Sequence, residues 1–231
     1  MSLIPYGKHY IDNEDIKNVT KILKSNNLTQ GPIIEKLEKK FAKYVGSKYA
    51  VAVSSCTAGL HLSSLALGLN KNNYLLTSPI TFVSTANAAL YCNSHPKFVD
   101  ISIESININT NLLQKFLQKN KKIRVISPVH FAGNPCDMKK IKQIVKNNNK
   151  IKIIEDAAHA LGAKYADGTM VGNCKYSDAT VFSMHPVKII ASGEGGIVTT
   201  NSYEVYKNLI RLRSHGINKK DDLFLNKKNS R

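Results

Sequence analysis

The sequence predicts an α/β fold, a mostly parallel sheet with helices on both faces. Three observations carry this reading. Short apolar runs such as Tyr49–Val53, Ile123–Pro128 and Ile151–Ile154 alternate with segments whose apolar residues recur at helical spacing. Glycines and small polar residues punctuate the junctions between them. The 231 residues, 42% of them hydrophobic, suffice for one large domain with its own core.

Residues 1–11 read as an extended arm. Asp12–Asn26 reads as a helix, with Ile16, Val19, Ile22 and Leu23 on one face. Thr29-Gln30-Gly31-Pro32 breaks it, and Pro32 suits the first turn of a second helix carrying Ile34, Leu37, Phe41 and Tyr44 up to Gly46. Tyr49–Val53 is a strand, Ser54–Gly59 a turn of small residues, and Leu60–Leu69 a helix. Next come a strand at Tyr74–Ser78, a helix at Val83–Tyr91, a strand at Lys97–Val99, a helix at Asn111–Lys119 and a strand at Ile123–Pro128. Asp137 caps a helix running to Asn147, and Ile151–Ile154 is a strand. Beyond the glycine-rich stretch Gly162–Gly172 lie strands at Ala179–Ser183 and Gly196–Thr200, then a helix at Tyr203–Arg213. Residues 1–217 thus form one large domain with an N-terminal arm, followed by a polar tail at 218–231. Ligands of such sheets bind beyond the carboxyl ends of the strands.

The net charge is +17, from 33 Lys+Arg against 16 Asp+Glu. Such a balance draws anions. The lysines are scattered, and no long basic block interleaves with aromatics, so nucleic acid is not an expected partner. Cys56, Cys92, Cys136 and Cys174 lie far apart, with no CxxC pair, so no metal site is expected; free thiols fit a cytoplasmic protein. The N-terminus lacks the apolar core of a secretory signal, and no apolar run reaches the ~18 residues a membrane span needs.

Four features carry chemistry. Lys188 follows the apolar run Ala179–Phe182, with Gly193-Glu194-Gly195-Gly196 just beyond. A lysine in a dry, crowded place keeps more free amine, which attacks carbonyls to form an imine; taken alone, the segment favours reading Lys188 as one more solvated lysine. Ser54–Gly59 joins strand to helix and aims N–H groups and hydroxyls where an anion is stabilised, although an ordinary capped turn has the same pattern. Asp156 stands at a strand end with His159 three residues on. That pair lacks a third ligand for a metal; the carboxylate suits a protonated pyridine nitrogen, or else a helix N-cap. Phe82, at a strand end, can stack on a flat ring. Together these are the parts that pyridoxal 5′-phosphate requires.

With these segments in place, the chain resembles the DegT/DnrJ/EryC1/StrS family of sugar aminotransferases. The resemblance rests on Leu28–Pro32, Ser55–Leu60, Thr81–Ala88, Val129–Gly133, Glu155–Gly162, Phe182–Lys188, Gly193–Gly196 and Arg213–Gly216, in the family's order. It implies the aspartate aminotransferase-like fold (fold type I) and pyridoxal 5′-phosphate as cofactor. It also implies that Lys188 binds the cofactor covalently and shuttles a proton, and that Asp156 pairs with the ring nitrogen. On the same resemblance, Thr57, Ala58 and Ser183 would bind the phosphate with Cys56 beside them, Phe82 would stack on the ring, and His159 would lie near its 3-oxygen. Ser183–Gly196 and Asp156–His159 look most like the 4-aminotransferases of pseudaminic acid biosynthesis. This implies glutamate as amino donor and a UDP-linked 4-keto-6-deoxy-N-acetylhexosamine as acceptor. A homodimer is implied for the full-length family, whose members continue beyond Arg213–Gly216 into a C-terminal small domain. Rival expectations are a family aminotransferase with another keto sugar, and a cofactor-free truncated homologue acting as a binding or regulatory protein. The family's dehydratases typically carry His where Lys188 stands.

Overall fold

The computed structural model describes residue 5 and residues 7–217, so the polar segment 218–231 lies outside the described residues. The chain enters through helix α1 (Asn13–Leu23). Asp12 caps it by accepting from the Glu14 and Asp15 N–H groups, and Asp15 bonds back to the Asp12 N–H. Its apolar face forms as expected but is not buried: Ile16, Val19 and Leu23 are each more than half exposed. Pro32 opens α2 (Pro32–Val45), and Gly46 closes it in the left-handed region at φ +79°.

Strand β1 (Tyr49–Val53) then leads into α3 (Cys56–Ala66). This helix begins four residues before the expected Leu60, so Cys56, Thr57 and Ala58 form its first turn rather than a loop. Ser55 is the reason: its hydroxyl accepts from the Ala58 N–H at 3.1 Å and starts the helix there. The alternation continues with β2 (Tyr74–Thr77), α4 (Val83–Tyr91), β3 (His95–Phe98), α5 (Thr110–Lys119), β4 (Ile123–Ile126) and α6 (Met138–Val145). β3 sits earlier than the expected Lys97–Val99 because its parallel register to β2 sets His95 opposite Tyr74. Strand β5 (Lys152–Asp156) runs two residues past the expected end, and turns rather than a helix follow it. Asp156 is therefore the last residue of a strand and caps no helix. Strands β6 (Ala179–Ser183) and β7 (Gly196–Thr200) and helix α7 (Tyr203–Arg213) complete the described chain.

The seven strands lie in the order β1-β7-β6-β5-β4-β2-β3. Only β7 runs against its neighbours; the others share one direction. Alternate side chains of each strand point to opposite faces. Leu76, Ile126, Ile153, Phe182 and Ile197 pack against α2, α5 and α6. Their chain neighbours Leu75, Val125, Ile154, Val181 and Val198 pack against α3, α4 and α7. The two cores bury the sheet on both sides, so its open functional edge is the row of strand ends.

A polar tie closes the β1 side of the sheet. Arg213 of α7 pairs with Glu38 of α2, and both grip β1: Glu38 Oε1 accepts from the Ala52 N–H at 2.8 Å, and Arg213 donates to the Ala52 carbonyl at 3.1 Å. No helix among the described residues is long and apolar enough to cross a membrane.

Candidate active site

The carboxyl ends of β1, β2, β4, β5 and β6 and the start of β7 share one edge of the sheet. Ser183 closes β6 opposite Gly196 in the β6–β7 register. Gly196 lies against the start of α3: a Cβ there would sit 2.6 Å from the Ser55 carbonyl carbon and 2.7 Å from the Cys56 nitrogen. Only a residue without a side chain lets these backbones meet. The contact brings Ser183 beside the first turn of α3. At that turn the Ala58 N–H is taken by Ser55, whereas the Cys56 and Thr57 N–H groups have no hydrogen-bond partner among the described residues. Open N–H groups at a helix start are where an anion is stabilised. The Ser183 hydroxyl oxygen accepts from the His185 N–H at 3.3 Å, which leaves its own proton to donate.

Asp156 ends β5 and is 4% exposed. Its Oδ2 accepts from the Thr85 hydroxyl at 2.6 Å and its Oδ1 from the Ala158 N–H at 3.2 Å. Both donors are neutral, and no ion pair reaches this carboxylate among the described residues. A buried carboxylate usually has a cationic partner. An acceptor that lacks one at a sheet's ligand-binding edge fits a protonated ring nitrogen.

Lys188 lies in the loop between β6 and β7, closed at its base by the Met184 N–H bonding to the Gly195 carbonyl at 2.9 Å. Its Nζ stands 2.5 Å from His159 Nε2. Lys188 is half-buried, and its neighbours Val187 and Ile189 are exposed. The dry, crowded setting expected from the sequence is therefore corrected: the loop protrudes past the strand ends, and a specific imidazole partner takes the place of general burial. The His159 backbone is fixed from behind by Gly133, at φ +87°, where a Cβ would meet the His159 carbonyl oxygen at 2.8 Å. Burial lowers the pKa of His159 and the Lys188 charge lowers it further, opposed by Asp156. Burial pushes the Cys56 thiol well up; Asp156 adds to this and Lys188 opposes it. These mutual fields mark Cys56, Asp156, His159 and Lys188 as one cluster. Phe82 stands at the start of α4, beyond the end of β2 rather than on it, and is 74% exposed.

Two features escaped the sequence reading. Thr85, in the first turn of α4, holds Asp156, and Thr81 stands 2.7 Å behind it. Glu155, one residue before Asp156, is fully buried under four donors. Tyr165 and Ser177 each bond it at 2.5 Å, and Thr180 and His130 at 2.9 Å. The Cys136 N–H donates to His130 Nδ1 at 3.1 Å, so His130 presents its Nε2–H to the carboxylate. Thr85 lies in a stretch of hydroxyl residues with Thr81 and Ser84, whereas the partners of Glu155 lie 10 to 25 residues from it and leave no local signal.

This architecture, with lysine, aspartate and open helix start on one sheet edge, defines the class of α/β aminotransferase domains. Residues 9–229 match the DegT/DnrJ/EryC1/StrS aminotransferase family, and the chain belongs to it. The chain is 42% identical over 219 residues to a UDP-4-amino-4,6-dideoxy-N-acetyl-beta-L-altrosamine transaminase of Campylobacter jejuni, covering 94% of this chain and 57% of that enzyme. Among solved structures, it superposes with a TM-score of 0.85 at 32% identity on Helicobacter pylori PseC, an aminotransferase involved in pseudaminic acid biosynthesis, covering 95% of this chain and 58% of that one. The PLP form of a sugar aminotransferase from Streptococcus pneumoniae gives 0.86 at 27% identity, covering 94% of this chain and 59% of that one. The chain thus spans little more than half the length of the proteins it matches.

Proposed function

We propose that the chain carries the cofactor site of a pyridoxal-phosphate-dependent sugar aminotransferase. It moves an amino group from glutamate to C4 of a UDP-linked 4-keto-6-deoxy-N-acetylhexosamine, working as a cytoplasmic homodimer. One observation carries this reading: a buried carboxylate with no cationic partner among the described residues, Asp156, shares a sheet edge with the Lys188–His159 pair and the open start of α3. Family membership and the similarity to sugar transaminases support the substrate class.

When bound, pyridoxal phosphate supplies a carbonyl carbon that takes up the amino group and a protonated ring that draws electrons from the reacting carbon. The chain's own residues do the rest. Asp156 accepts the ring-nitrogen proton in a hydrogen bond and holds the positive charge there. The Cys56 and Thr57 N–H groups, with the Thr57 and Ser183 hydroxyls, bind the phosphate at the start of α3, and Ala58 lets it approach closely. Phe82 would cover one face of the ring and keep water from it. His159 accepts from Lys188 and would lie near the ring's 3-oxygen, holding that amine by the site. Lys188, in its free-amine form, would take the proton from the glutamate Cα and, in the second half-reaction, would deliver one to the sugar C4.

The test is to add pyridoxal phosphate to the purified chain, reduce with borohydride and map the label by peptide mass. The expected result is a visible band and one cofactor mass on the peptide carrying Lys188, both lost in Lys188→Ala. A colourless protein, or label on another lysine, overturns the reading.

A further inference from the structure

We propose that Thr85 is a positioning residue for the cofactor site, setting the direction in which Asp156 offers its carboxylate and tying it to the turn that bears Phe82. The inference rests on the function proposed above and extends it to a residue with no role in that reading.

The geometry is specific. Thr85 is 0% exposed and belongs to the first turn of α4, whereas Asp156 ends β5, 71 residues later. The Thr85 hydroxyl is the donor at 2.6 Å, because an ionised carboxylate can only accept. Its proton being spent there, its oxygen can accept from Thr81 at 2.7 Å. The Thr85 N–H meanwhile bonds to the Phe82 carbonyl at 3.2 Å. One residue therefore holds Asp156 by its side chain and Phe82 by its backbone, the two groups proposed to touch the same ring. With Oδ2 held by Thr85 and Oδ1 by the Ala158 N–H, the carboxylate has one orientation rather than several. A preset acceptor loses less freedom when a ligand arrives.

The test compares Thr85→Val, which removes the hydroxyl at nearly constant shape, with Thr85→Ser, which keeps the hydroxyl and removes the methyl. Asp156→Asn and the Thr85→Val/Asp156→Asn double variant complete the set. Each is titrated with pyridoxal phosphate, and the visible band of the bound cofactor is followed against pH. Thr85→Val is expected to bind roughly tenfold or more weakly, the size of one hydrogen bond to a charged group. Its pH midpoint should move in the same direction as that of Asp156→Asn. Thr85→Ser should stay within about twofold of the parent, and Thr85→Val should add little in the Asp156→Asn background.

A role in packing alone predicts the opposite, with Thr85→Ser as impaired as Thr85→Val and the pH midpoint unmoved; that result overturns the proposal. So do parental binding by Thr85→Val and independent, multiplying losses in the double variant. Should Thr85→Val not fold, Thr85→Ser still decides, since parental binding and midpoint support the hydroxyl and a tenfold loss excludes it. If Asp156→Asn binds and titrates like the parent, or the parent takes up no cofactor, the underlying function falls with the proposal. If Asp156→Asn alone is impaired, only the role of Thr85 falls.

Discussion

Lys188 Nζ and His159 Nε2 stand 2.5 Å apart, so an amine and an imidazole separated by 29 residues share one proton-bearing contact. With the ring neutral, Nε2 is the acceptor and the lysine ammonium the donor. Protonation of the ring removes the acceptor and sets two positive charges against each other.

The first prediction concerns this pair. His159 titrates below its ordinary 6.5 because burial and the Lys188 charge both disfavour a second positive charge, with Asp156 opposing them. A histidine whose folded pKa is depressed contributes stability above 6.5, and that contribution is lost as pH falls through the folded value. A ring-proton NMR titration should give a midpoint below 6.5, rising when Lys188→Met removes the neighbouring charge. A midpoint that ignores this substitution contradicts the contact.

Glu155 supports a second prediction, about stability. Burial alone raises its pKa, but hydrogen bonds from His130, Ser177 and Tyr165 outweigh burial and hold it below the ordinary 4.5. The sign follows: its contribution is present above pH 4.5 and lost as pH falls through the folded value. Glu155→Ala strands four buried donors and should cost about 3 kcal/mol or more at neutral pH. Urea unfolding against pH measures both, and the variant should lose part of the parent's acid-side slope.

The close approach at Gly196 makes a third. Gly196→Ala drives a methyl to within 2.7 Å of the Cys56 nitrogen, so either β7 or the first turn of α3 must shift. Overpacking of this kind costs roughly 1–3 kcal/mol. Cofactor titration should show weaker binding, and thermal melting a lower midpoint. Unchanged binding removes the start of α3 from the anion site.

A fourth concerns the tie between α2, β1 and α7. Arg213→Met removes the partner of Glu38 and the donor to Ala52, and should destabilise by roughly 2 kcal/mol. Glu38→Gln should cost a similar amount. Because the two residues form one network, the double variant should lose less than the sum of the single losses. Denaturant unfolding of the three variants checks this.

Much of this architecture could be read from the residues because buried strands leave short apolar runs and helices leave period-3.6 faces. The edges of elements were harder. The start of α3 is written in Cys56, Thr57 and Ala58, which resemble a turn; only the Ser55 hydroxyl on the Ala58 N–H makes them helical. The reversed direction of β7 has no local signature, since a strand buried on both faces reads the same either way. Of the candidate site, Lys188, Asp156 and His159 stand out as chemistry at strand ends, and the family resemblance adds Ser183 and a place for His159 near the ring. The contacts of Thr85 with Asp156 and of Gly133 with the His159 backbone join distant segments, and no spacing within one segment encodes them.

Among the described residues, strand β1 occupies an edge of the sheet and pairs only with β7, Tyr49 meeting Thr200 and Val53 meeting Gly196. A chain emerging from the ribosome must carry this early strand unpaired until nearly all the described residues have been synthesised. Closing so long a loop makes completion of that edge a slow, late event, and until then its backbone donors stand open to other chains.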